Sequence, residues 1–133
     1  TSVGKITAEM SGCDSLACAF HSLSLASDRL ATASIDQLKE LGEELASRMV
    51  YLLEPLSPIE IDAEGVSVQL RSNPPHKDED ATSYYELIAR RGGEVRLQRY
   101  AKSTGQVREV IATNVTIEVF RRLVGDFVAV LDN

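Results

Sequence analysis

The chain has 133 residues, 44% of them hydrophobic and 26% charged, with a net charge of −6. That length and composition describe one globular domain with its own core, not a disordered chain. The acid excess disfavours non-specific binding to nucleic acid or an anionic membrane, and no apolar run reaches the length of a membrane span. The charge is unevenly placed. Residues 1–82 carry 14 acidic and 6 basic side chains, whereas residues 83–133 carry 6 and 8, which leaves room for a local basic patch late in the chain.

Residues 1–12 are rich in small polar residues and read as a mobile tail before a single domain over 13–133. From Asp14 to about Leu30, Leu16, Phe20 and Leu23 recur near the helical period, and a first helix is expected there. The two cysteines, Cys13 and Cys18, are too few for a disulfide framework, so free thiols and a cytoplasmic location are expected. With His21 they make a poor metal set, because the spacing is irregular and a fourth ligand is missing. No metal or other cofactor is expected.

Ser34 to Glu54 is the strongest helical signal. Ser34 and Gln37 make a capping box, and Ile35, Leu38, Leu41, Leu45, Met49 and Leu52 form one apolar stripe. Pro55 and Pro58 end it. Ile59 to Arg71 alternates strictly and predicts a hairpin about a two-residue Glu64-Gly65 turn, with Ile59, Ile61, Val68 and Leu70 on the covered face. The segment 72–82, with two prolines and Lys77-Asp78-Glu79-Asp80, reads as a loop.

Two further hairpins are expected between Tyr84 and Ala112. A three-residue Arg91-Gly92-Gly93 turn pairs Arg90 with Glu94, Ala89 with Val95, Leu87 with Leu97, and Tyr84 with Tyr100. That register is preferred because it makes one face apolar, whereas a one-residue slip mixes both. The next hairpin is expected to pair Ala101 with Val107, Arg99 with Glu109, and Leu97 with Ile111. Thr113 or Asn114 then caps a last helix through about Leu131, with Leu123 and Phe127 on its apolar side. The expected fold is α+β, a five-stranded antiparallel meander covered on one face by amphipathic helices, in the order α-α-β-β-β-β-β-α. This small acidic helix–sheet–helix pattern is broadly similar in architecture to secretion chaperones, dimers that hold extended peptides. The helix those proteins place between strands has no counterpart here.

Catalysis has no local signature. His21 and His76 are the only histidines, and no glycine-rich loop joins a strand to a helix. The outer face of the 84–112 strands is the candidate site. There Tyr84, Ile88, Arg90, Arg96, Tyr100 and Arg108 set flat rings beside planar cations, a composition found at protein interfaces. A non-enzymatic protein-interaction module is expected, forming a homodimer or binding a protein partner. Stacking on single-stranded nucleic acid is the second reading. The third is a small-ligand carrier or enzyme with a cavity under the sheet, Arg99 and Glu109 at its margin.

Overall fold

The computed structural model describes residues 4–132. In chain order the elements are β1 (Lys5–Cys13), β2 (Ala17–Ala26), α1 (Ile35–Arg48), β3 (Leu56–Asp62), β4 (Ser67–Ser72), β5 (His76–Lys77), β6 (Ala81–Arg90), β7 (Glu94–Ser103), β8 (Glu109–Ile111), β9 (Thr113–Thr116) and α2 (Ile117–Asp132). The strands join in one antiparallel sheet of order β1-β2-β7-β6-β4-β3, with β5 on β6, β8 on β7 and β9 on β2. The α+β class stands. The five-stranded meander is corrected to nine strands among the described residues, and the chain opens with two strands instead of a helix. Because β1 and β2 precede α1, the order departs from the helix–sheet–helix pattern read from the sequence.

The parts read from strong local signals formed as expected. Ser34 Oγ accepts from the Gln37 N–H while Gln37 accepts from the Ser34 N–H, so the capping box closes both ways and α1 starts where predicted. The β6–β7 register is the one that separates apolar from polar, with Leu87 opposite Leu97 and Tyr84 opposite Tyr100. Gly92 and Gly93 hold φ of 94° and 138°, a backbone region that side chains disfavour. The turn is also tied down, since the Gly92 N–H donates to Leu30 and Arg91 Nε donates to the Ala33 carbonyl. The run β3-β4-β6-β7 follows the expected meander.

The first thirty residues differ most. Residues 5–12, expected as part of a tail, form the edge strand β1; residues 1–3 lie outside the described residues. The expected first helix is strand β2. Its burial explains the misreading: Cys18 and Phe20 face the core, and so do Leu23 and Leu25. Phe20 pairs with Met10 and Ser22 with Glu9, so His21 is an extra residue, a bulge that moves the strand's phase by one. Phe20 and Leu23 therefore stand three apart, as on a helix. Asp14 added to the ambiguity. Its carboxylate accepts from the Leu16 and Ala17 N–H groups, the same bonds a helix cap makes, yet here they close a hairpin turn. Cys13 and Cys18, expected as thiols, face each other across that turn and are bonded.

The bulge also shapes the sheet. The C-terminal half of β2 pairs with β7 and its N-terminal half with β9. Because β8 is antiparallel to β7 and β9 is antiparallel to β2, the strands cannot lie in one plane. A bulged strand bends and twists more strongly, which suits that change of partner.

Under the sheet, α1 lies over β3, β4 and β6, α2 lies over β2 and β9, and the helices meet. Leu38, Leu45, Leu70, Leu87, Leu97, Leu123 and Phe127 are fully buried between them. Gly42 lets α1 approach β4 closely, since a Cβ there would sit 2.7 Å from Leu70 Cδ1. The last helix begins at Ile117 and not at 113–114, because 113–116 pair with β2; Thr116 Oγ1 then accepts from the Val119 N–H.

Two hairpins differ in part from expectation. The β3–β4 register is the expected one from Asp62 to Glu60, with Ile61 opposite Val68, but the turn is four residues long; the Asp62 carboxylate accepts from the Glu64 and Gly65 N–H groups. Ile59 is bulged between Pro58 and Glu60, and with Ile61 it is nearly half exposed at the sheet's edge. In the last hairpin Ala101 pairs with Glu109, and Arg99 with Ile111. That is a two-residue shift, so the faces keep their sense. Val107 falls in the loop, 89% exposed, instead of on the inner face.

Candidate interaction surface

The sheet's outer face carries most of the side chains singled out in the sequence. β4, β6 and β7 present Arg71, Tyr84 with Glu86, and Tyr100 at neighbouring positions, and the chain entering β8 adds Arg108. The rings of Tyr84 and Tyr100 stack at 6.0 Å between centroids. The guanidinium of Arg71 lies 4.5 Å from the Tyr84 ring and that of Arg108 lies 3.9 Å from the Tyr100 ring. In strand order the four groups run cation, ring, ring, cation.

Glu86 ties this row together from beneath. Its side chain is 2% exposed, and its carboxylate takes Arg108 at 2.7 Å and Arg71 at 3.0 Å. Burial alone would raise its pKa, but the bonds from Arg108, Arg71 and Gln69 outweigh that and hold it below the usual carboxylate value. The same bond from Arg108 raises the arginine's own pKa against its desolvation. Arg108 also donates to Tyr84 Oη at 3.3 Å, and Tyr100 Oη donates to Gln98.

The sequence reading placed these residues on the right face and gave them too much exposure. Tyr84 is 8% exposed, while Ile88, Arg96 and Tyr100 are half-buried. Arg90 is exposed and shares Glu94 with Arg96, at 3.7 and 3.6 Å. Arg71 and Glu86 were missed as partners. Their signal was present: a meander puts Arg71 and Glu86 on one face of adjacent strands, where opposite charges attract.

Above the row lies an open trough of about 850 Å3, walled by Glu60, Gln69, Thr82, Lys102, Gln106 and Val107. Tyr84 lies in its floor, and each ring of the row already carries a guanidinium and has the other ring beside it. The nucleic-acid reading needs open ring faces on which bases stack, and these are occupied.

Arg99 and Glu109 are not a pair. Arg99 donates to Glu54 at 2.9 Å and to Ser83 at 3.0 Å, and its guanidinium lies 4.4 Å from the Tyr85 ring. Ser72 also donates to Glu54 and accepts from the Tyr85 N–H, so the margin of the inner face is closed by a polar cluster. Burial chiefly raises the Tyr85 pKa, with Arg99 opposing it. Tyr85 and Leu87, which with Arg99 would line the pocket of the small-ligand reading, are buried members of the core cluster.

No protein family, curated protein or solved structure matches this chain. Among the described residues no group of three or more His, Cys, Asp or Glu is placed to hold a metal ion. No helix among them is long and apolar enough to cross a membrane.

Proposed function

We propose that the protein is a non-catalytic interaction domain that binds another protein through the outer trough, with a second copy of itself as the first partner to consider. The trough above the Arg71–Tyr84–Tyr100–Arg108 row carries this reading. Its floor is already ordered by Glu86, so binding does not have to immobilise those long side chains. Exposed Val107 and Val110 add apolar surface on the loop and strand beside it. Arginine and tyrosine are the residues enriched where proteins meet.

Sedimentation equilibrium over a wide concentration range tests this. Self-association is expected in the native chain, and Val107→Asp with Lys102→Glu weakens it while melting is unchanged. A native chain that stays monomeric throughout, or a dimer indifferent to both substitutions, sinks the reading.

A further inference from the structure

The molecule has a second open surface, on the opposite side of the sheet's last strand. A groove of about 580 Å3 runs between α1 and β3, with Ala46, Val50 and Glu43 on one wall and Leu53, Leu56 and Pro58 on the other. Neither helix covers it. Val50 is 70% exposed and Leu53 87%, and Ile59 and Ile61 continue the apolar surface along β3. Four of the large exposed hydrophobic residues thus fall within twelve consecutive positions, 50–61; Val50 and Leu53 line the groove, and Ile59 and Ile61 follow its last lining residue, Pro58. Leu53 also sits at φ 64°, the left-handed region in which a leucine is disfavoured. Such outliers recur at ligand clamps, and this one holds an apolar side chain out into water.

We infer that this groove takes an amphipathic helix from a partner protein, apolar on its buried stripe and basic on its flanks. The wall from α1 offers Ala46 and Ser47, small residues that let another helix axis come within about 8–10 Å. A helix satisfies its own backbone and can lie on an apolar wall without polar partners there. An added strand fits poorly, because Pro58 removes a donor and Ile59 is bulged on the β3 edge. The flanks follow from charge. The two charged groove residues are both carboxylates, Glu43 exposed on α1 and Glu54 already held by Arg99, and no basic side chain lines the groove, so Glu43 is the carboxylate left for a basic flank. A second copy would bring the same apolar walls and glutamates, with no basic groove residue to meet Glu43.

The test is fluorescence anisotropy with a labelled amphipathic helical peptide of leucine and lysine, beside its leucine–glutamate counterpart. The lysine peptide saturates and the glutamate peptide does not bind. Replacing Val50→Lys and Leu53→Lys together weakens binding by about tenfold or more, as expected for central contacts. Both side chains are exposed, so the melting temperature is retained. Glu43→Lys, which alters only charge on a helix surface, weakens binding several-fold, and Val107→Asp in the outer trough leaves it unchanged. Equal binding of the two peptides overturns the proposal, as does indifference to all of the groove substitutions. Chemical-shift changes outside residues 43–61, or a native dimer that Val50→Lys dissociates, overturn it as well.

Discussion

The outer trough and the α1–β3 groove lie on opposite sides of one sheet, and they were left open for different reasons. On the outer face neither α1 nor α2 is present, so the sheet covers itself: two arginines lie over two tyrosines and neutralise a buried glutamate. On the inner side α1 reaches β3 but covers it only in part, leaving valine, leucine and isoleucine at that flank in water. Charges can complete a surface within one chain because each finds a partner of opposite sign. Apolar side chains at an uncovered flank have only each other.

This contrast is easiest to break at Glu86. Glu86→Gln leaves Arg71 and Arg108 facing a neutral group, and bonds to charged groups contribute about 1.5–3 kcal/mol each. Both arginines are about one-third exposed, which lowers the expected loss to about 2 kcal/mol in all, measured by urea unfolding. A loss within error would mean that the row is ornamental.

The same residue gives the contrast a pH dependence. The folded pKa of Glu86 lies below its unfolded value, so its stabilisation is present in full above the unfolded value of about 4.3. It is lost as pH falls through the folded value, because both states are then protonated. Unfolding free energy should therefore fall on acidification below that point, and less steeply in Glu86→Gln. Parallel pH profiles for the two chains would assign the acid sensitivity to other carboxylates.

At the groove the expected sign is opposite. Leu53→Gly relieves a left-handed backbone and removes a side chain that is 87% exposed, so stability should hold or rise by up to about 1 kcal/mol. A marked loss would show Leu53 to be packed in solution, and the groove closed. Position 53 then contrasts with position 86, where the native residue is the stabilising one.

Legibility in the sequence followed the range of the signal. Ser34 with Gln37 and the Arg91-Gly92-Gly93 turn act over a few residues, and the elements they start appear where expected. In 14–30 a local signal misled. Asp14 bonds a turn with the chemistry of a cap, and the His21 bulge gives a strand the spacing of a helix. In the last hairpin, parity was right and register was off by two. With β2 taking Leu97 as the partner of Leu23, β8 was left only Arg99 to Ala101 of β7. The candidate site shared this division. Its face could be read from alternation, whereas the hub Glu86 and the partner Arg71 depend on which strand lies next door.

By itself the sequence determined the α+β class, the start of α1, the β6–β7 register and the face on which the tyrosines and arginines stand. These depend on contacts between near neighbours and on the two-residue period of a strand. Only the tertiary structure decided that β1 and β2 complete the sheet, that Arg99 meets Glu54 instead of Glu109, and that α1 covers the edge strand β3 only in part. Those outcomes turn on which distant segments meet, and a bulge or an edge changes them without altering the composition of any local stretch.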